Sequence, residues 1–229
     1  MAMELGVYEK LLQGELNEKF SLFKDILFEY NNKFNLTAIT DEKGVYIKHF
    51  LDCMAGDMFF ERGAEVAEIG SGGGFPSIPL KILRDDLSFT LIESTAKKCG
   101  YLQDVVDKLK LNCVQVVNGR AEVLGKDKNF REKFDAVTAR AVARLNVLCE
   151  YCLPFIKEGG VFVAYKGDCG QEITEAEKAI SVLGGETERI EKYTLLNGDK
   201  RTLVVIRKVK KTPEKYPRGQ GKERKNPII

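Results

Sequence analysis

Val66-Ala67-Glu68-Ile69-Gly70-Ser71-Gly72-Gly73-Gly74-Phe75-Pro76 is the stretch around which the rest of the chain is read. A short apolar run ends in four glycines within five positions, then a proline, then apolar residues at Ile78, Leu80, Ile82 and Leu83. Strand, tight turn and helix follow from this: glycine admits positive φ and close approach of a ligand, and proline suits the first turn of a helix. Such a turn makes a nucleotide-sized pocket at the carboxyl end of a strand. A dinucleotide fingerprint, G-x-G-x-x-G, fits Gly70 and Gly72 but meets Phe75 at its third glycine. Glu68, two positions before the first glycine, would also sit badly beside a pyrophosphate. S-adenosylmethionine has no phosphate, and its ammonium is favoured by a carboxylate at the turn, so it is the preferred cofactor. A glycine-rich turn that binds nothing is the bland alternative.

Beyond the turn, strands and helices alternate. Leu87 to Ile92 reads as a strand ending in Glu93, placed to accept the hydroxyls of an adenosine ribose. A helix opened by Lys97 and Lys98 follows, carrying Tyr101, Leu102, Val105, Val106 and Leu109. A third strand, Val114 to Val117, leads into Asn118-Gly119-Arg120-Ala121-Glu122, where a doubly wound sheet holds adenine. A fourth, Phe134 to Ala139, delivers Arg140 and Arg144 to the cleft, as partners for a methionine carboxylate or a nucleic-acid phosphate. A helix from Leu145 to Ile156 ends at Lys157-Glu158-Gly159-Gly160, and the strand Val161 to Tyr165 brings Lys166 to the same edge. A helix from Gln171 to Leu183 and two strands, Arg189 to Leu195 and Thr202 to Ile206, complete the fold. Asn197-Gly198-Asp199 joins those strands tightly, so the last should run antiparallel to its neighbours.

Ahead of the turn, Leu16, Phe20, Phe23, Leu27, Tyr30 and Phe34 recur at spacings of three and four, predicting an amphipathic helix from Glu15 to Phe34. Asn35 to Asp41 breaks it, and a second helix is expected from Glu42 to Phe60. His49 lies on it, with Lys48 beside it and Asp52 three positions on, near enough to share a surface. A lone histidine is more often a packing or surface residue than a functional one.

The chain has 229 residues, 44% hydrophobic and 31% charged, which suits one α/β domain with an appendage. No apolar stretch reaches the roughly 18 to 20 residues that span a bilayer, and Met1-Ala2-Met3-Glu4 lacks a secretory n-region, so a cytoplasmic protein is expected. Six scattered cysteines fit reduced, mostly buried thiols, and Cys149-x-x-Cys152 has no second pair or histidine to complete a metal site. Net charge is +2, yet the residues from Lys208 onward carry +6. With Pro213, Pro217, Gly219, Gly221 and Pro227, that segment reads as an irregular basic tail suited to phosphates, or as a solvated tail of no consequence.

Asn35-Leu36-Thr37, Lys48-His49-Phe50-Leu51-Asp52, the glycine stretch, Leu91-Ile92-Glu93-Ser94, Arg120-Ala121-Glu122, Thr138-Ala139-Arg140-Ala141-Val142-Ala143, Tyr165-Lys166-Gly167 and Tyr216-Pro217-Arg218 occur in that order. In this the chain resembles the ribosomal small-subunit methyltransferase G family, also called glucose-inhibited division protein B. The resemblance implies a class I, Rossmann-like α/β fold: a mostly parallel seven-stranded sheet, antiparallel in its last strand, behind a helical N-terminal appendage. The implied divisions are residues 1–62, a methyltransferase domain over 63–207, and a basic tail over 208–229.

The implied reaction moves a methyl group from S-adenosylmethionine to N7 of one guanine, position 527 in the 530 loop of bacterial 16S ribosomal RNA. The implied partner is that RNA, the small ribosomal subunit or its assembly intermediate, met by a monomer. Family cofactor contacts fall on Gly70, Phe75, Ala121, Glu122 and Arg140; Gly72 and Glu93 join them from the turn and strand logic. N7 carries a lone pair and no proton, so no general base is required. The work is placement, with Arg140, Lys166 and His49 the polar candidates near the cleft. Charge alone suggests Lys97, Lys98, Arg144, Lys166, Arg201 and Arg218 for RNA, and predicts that removing the residues after Arg207 weakens RNA binding but spares cofactor affinity. A small-molecule methyltransferase, a non-catalytic RNA-binding assembly factor and a nicotinamide oxidoreductase are the alternatives.

Overall fold

The computed structural model describes residues 16–140 and 142–229; the readings of Met1 to Glu4, Glu15 and Ala141 fall outside them. Seven strands form one sheet in the order β3-β2-β1-β4-β5-β7-β6. β1 (Glu65–Ile69), β2 (Ser88–Glu93), β3 (Val114–Asn118), β4 (Phe134–Arg140) and β5 (Ile156–Lys166) are parallel. β7 (Lys200–Lys208) lies antiparallel between β5 and β6 (Gly185–Thr194). The chain winds outward from β1 to β3, then returns to lay β4 on the other side of β1. That reversal opens a crevice at the carboxyl ends of β1 and β4.

Both faces are covered, so β1 and β2 are buried along most of their length. Val66, Leu91 and Val163 enter one core; Ala67, Ile92 and Phe162 enter the other. On the first face lie α1 (Asn17–Asn31), the second helical stretch, α4 (Ser77–Leu83) and α5 (Ala96–Lys108). The stripe of α1 buries Phe20, Phe23, Ile26 and Leu27, with the Phe23 ring 5.5 Å from those of Phe50 and Phe75.

The second helical stretch is shorter than expected. Asp41 caps it by accepting from the Gly44 amide at 2.7 Å, and it runs through α2 (Glu42–Val45), a π-helical turn (Tyr46–Leu51) and α3 (Asp52–Met54). It stops before Phe60 because Tyr165 rises from β5 beneath it. A Cβ on Gly56 would stand 2.1 Å from the Tyr165 hydroxyl, which donates to the Cys53 carbonyl at 2.7 Å.

On the second face lie α6 (Ala121–Leu124), α7 (Leu145–Cys152) and α8 (Gly170–Val182). α7 ends four residues before the expected Ile156, at a 3-10 turn containing Pro154. Lys157 to Gly160, expected as the helix end, belongs to β5 as a bulge: Phe134 pairs with Ile156, but Ala136 pairs with Val161. Gly160 is needed there, since a Cβ would stand 2.4 Å from the Asp135 carbonyl oxygen. All six cysteines are free thiols, and burial raises the pKa of both Cys149 and Cys152.

The segment after β7 is packed, contrary to its reading as a loose tail. Lys208 is fully buried and donates to the Leu153 carbonyl and the Thr212 hydroxyl, both at 2.6 Å. Arg131 donates to the carbonyls of Thr212 and Tyr216 as well as to that of Gly125. Arg218 forks onto both oxygens of Glu150, which is 1% exposed, and a short helix, α9 (Lys222–Lys225), follows. Proline, glycine and charge here mark a chain anchored by side chains rather than by a ladder.

Candidate functional site

The glycine turn sits at the carboxyl end of β1. Gly70, Gly72 and Gly74 have φ of +74°, +51° and +84°, values that favour glycine. At Gly70 space matters too: a Cβ would lie 2.8 Å from Val142 Cγ2. A Cβ on Gly72 would have only the Gly70 carbonyl oxygen near it, at 3.7 Å, so this edge of the turn is open to a ligand. The amides of Gly70 and Ser71 donate to the Ile92 carbonyl, tying the turn to the end of β2.

Glu93 closes that strand and is 6% exposed. One carboxylate oxygen accepts from the Gly72 amide at 3.0 Å, the other from the Thr95 amide at 2.8 Å. Remaining lone pairs can accept ribose hydroxyls. Asn118 and Gly119, at the end of β3, both donate to the Glu93 carbonyl and fix the loop that carries Ala121 and Glu122. Together these elements line a cleft of about 370 Å³, walled by Ile69, Gly70, Ile92, Ser94, Gly119, Arg120, Ala121, Glu122, Val142, Tyr151, Gly221 and Arg224. Two larger hollows, about 570 and 620 Å³, lie at the opposite edge of the sheet, away from the turn.

Tyr151, Gly221 and Arg224 were not foreseen as cleft residues. The helical stripe of α7 gave no sign that Tyr151 turns to the cleft; the likeness at Tyr216-Pro217-Arg218 was the available signal for the tail. The tail thus supplies part of the wall of the cleft, which a reading of it as an RNA-binding tail alone does not include.

Other predicted residues lie beside the cleft, committed to internal partners. Phe75 is buried with its ring stacked on His49, 4.3 Å between centroids. Arg140 donates to Cys53 Sγ at 3.0 Å, to the Lys48 carbonyl at 2.7 Å and to His49 Nδ1 at 2.8 Å, and lies 3.3 Å from Asp52. A guanidinium only donates, so Nδ1 accepts and the histidine proton lies on Nε2, 2.8 Å from the Thr37 hydroxyl. Burial first, then the Arg140 charge, pushes His49 down to about 3, leaving a neutral ring with both nitrogens engaged. His49 therefore does not share an open surface with Lys48 and Asp52: it is 8% exposed and Asp52 only 2%.

Glu68 lies beneath the turn and does not line the cleft. It is fully buried beside Ser77 and Ser71, which lie outside good hydrogen-bond geometry to its oxygens, and burial outweighs these neighbours and pushes it up to about 8. Of the proposed RNA contacts, Lys166 pairs with Glu172 at 2.6 Å, Arg201 with Asp199 and Asp52, and Arg218 with Glu150. Those three charges are spent inside the protein. Lys97 is exposed and Lys98 half-buried, while Arg144 pairs with Glu175 yet keeps 58% of its side chain exposed.

A sheet of this order, with an acid at the end of β2 facing a glycine turn, defines a class I S-adenosylmethionine-dependent methyltransferase. The turn, Glu93 and the β3 loop fit an adenosyl group. Solved structures of the same fold include an S-adenosylmethionine-dependent methyltransferase from Aquifex aeolicus (TM-score 0.56, 17% identity, 74% of this chain and 94% of that one). Another is an O-methyltransferase from Bacillus cereus in complex with S-adenosylhomocysteine (TM-score 0.57, 19% identity, 81% and 90%).

The family model for rRNA small subunit methyltransferase G matches residues 16–204. Ribosomal RNA small subunit methyltransferase G of Lactobacillus helveticus is 47% identical over 99% of this chain and 97% of its own. The Clostridium novyi protein of that name is 44% identical over 98% and 96%. The chain belongs to this family, and it is an S-adenosylmethionine-dependent methyltransferase of ribosomal RNA. Among the described residues no helix is long and apolar enough to cross a membrane.

Proposed function

We propose that this enzyme methylates N7 of a single guanine in the 530 loop of 16S ribosomal RNA, in the small subunit or its assembly intermediate. The observation that carries the choice of atom is the state of the chain's one histidine. His49 is neutral, buried, and bonded at both nitrogens to Arg140 and Thr37, so it takes no proton from a substrate. An exocyclic amine must lose a proton on methylation; N7 has none to lose and attacks through an in-plane lone pair.

When bound, the cofactor supplies an electrophilic methyl on a sulfonium. The chain's part is placement. Gly70 and Gly72 let the backbone come close, Glu93 holds the ribose hydroxyls, and Ala121 with Glu122 borders the adenine. Arg140 ties β4 to the helices that carry Lys48, His49, Asp52 and Cys53, setting the floor on which the base is received. Exposed Lys97, Arg120 and Arg144 near the cleft mouth suit the RNA backbone.

Methylation of 16S RNA and small-subunit particles, followed by borohydride and aniline cleavage and primer extension, tests the assignment. A single stop in the 530 loop is expected. Methyl incorporation without a cleavage stop would overturn the N7 reading, and transfer to small metabolites in place of RNA would overturn the substrate.

A further inference from the structure

We propose that the C-terminal segment is the adenine-side wall of the cofactor site, and that the Arg224 guanidinium packs against the purine ring. The proposal rests on the cofactor class and is independent of which RNA atom receives the methyl group.

The cleft has a polarity. Gly70 and Ser94 lie at the end held by Glu93, where the ribose belongs; Gly119, Ala121 and Glu122 lie at the β3 end, where the base belongs. Arg224 and Gly221 share the base end with Tyr151, and Arg224 leans on the Tyr151 hydroxyl. Both come from the last nine residues.

The segment is held there by independent anchors. Arg218 grips the buried carboxylate of Glu150 through two side-chain nitrogens and its own amide, the last at 2.8 Å. Gly221, at φ +73°, turns the chain into α9. Glu223 is 1% exposed and accepts from the Gly219 amide, which turns the neighbouring Arg224 outward from the core. Asn146 donates to the Ile228 carbonyl at 3.4 Å. Arg131 ties the approach at Thr212 and Tyr216 to the Gly125 carbonyl, which ends α6, the helix that begins at Ala121.

A planar guanidinium is the side chain suited to such a place. It lies flat on an aromatic ring and needs no base-specific hydrogen bond. A lysine offers a point charge without the plane.

The test is calorimetry of Arg224→Ala and Arg224→Lys with two probes: S-adenosylhomocysteine, and 5′-methylthioadenosine, which has the adenosine end alone. Both probes should lose affinity by the same factor, about five- to twentyfold, in the alanine variant. The lysine variant should recover only part of it. Arg224 is exposed, so the melting temperature of the ligand-free protein should stay where it is. Unchanged Kd for both probes in a normally melting Arg224→Ala overturns the proposal. A loss confined to S-adenosylhomocysteine also overturns it, because the contact would then be with the amino-acid end.

Discussion

The two ends of the chain close opposite faces of one sheet by different physics. The N-terminal helices do it with rings: Phe20, Phe23 and Phe50 are wholly buried, and their stack continues through Phe75 to His49. Buried polar contacts cross that face as well: Arg140 donates to Cys53, Lys48 and His49, Tyr165 to the Cys53 carbonyl, and Tyr101 to the Gly73 carbonyl. The C-terminal segment does it with hydrogen-bonded charges, each aimed at a carbonyl or a buried carboxylate: Lys208 on Leu153, Arg131 on Thr212 and Tyr216, Arg218 on Glu150. A ring stack depends on volume and tolerates no truncation. A clamp of hydrogen-bonded charges depends on partners, so at its ion pair, Arg218 with Glu150, removing one member is costly and removing both is mild.

The largest effect should come from the stack. Phe50→Ala removes the ring that touches Phe20, Phe23 and Tyr46 at centroid distances of 4.9, 5.5 and 5.1 Å. The cost should be about 3–5 kcal/mol, read as a fall in the urea midpoint. A loss below about 1 kcal/mol would mean that the helices relax onto the sheet without a cavity, and the contrast between the two ends would fail.

Next is the carboxyl that this face buries. Burial disfavours the charge of Glu68 and pushes its carboxyl up to about 8 in the folded chain, against 4.5 ordinarily. Below pH 4.5 both folded and unfolded chains hold the proton. Between 4.5 and 8 the unfolded chain releases it first, so stability falls as pH rises through that window. Glu68→Gln carries no charge to desolvate. Its advantage over the native chain should grow from nearly nothing at pH 4.5 to on the order of 3 kcal/mol at pH 8, judged from 1.36 kcal/mol per unit with allowance for relaxation. Denaturation curves for the two chains that stay parallel from pH 5 to 8 would show that Glu68 is ionised in the folded protein.

Legibility in the sequence follows the same division. Periodic apolar residues reveal a face, so α1, the glycine turn, the alternating strands and the antiparallel last strand could all be read. Glu93 could be placed because a strand end is a defined position. Arg140 reads as a cleft arginine from its place at a strand end, but nothing local reveals that its guanidinium bonds Cys53 and lies beside Asp52, nearly ninety positions earlier. The C-terminal segment was the hardest. Its composition is that of a solvated tail, and its anchors, Thr212, Tyr216, Arg218 and Glu223, follow no helical or strand period. Long-range side-chain clamps leave no periodic trace, and for the same reason Arg224 could not be assigned to the cleft.

The smallest effect should come from that clamp, and its form matters more than its size. Arg218→Met keeps the aliphatic stem and removes the guanidinium, leaving Glu150 with only the residue-218 amide as donor among the described contacts. Arg218 is 25% exposed, so water replaces part of the lost partner, and the cost should be about 2 kcal/mol rather than the 3–5 of a fully enclosed pair. Glu150→Gln in the same chain removes the stranded charge and should restore more than half of that loss, a coupling visible in a double-mutant cycle. The opposite outcome is informative: if the two substitutions simply add, the segment is held by Tyr216 and Thr212 packing alone, and the two ends of the chain obey one rule instead of two.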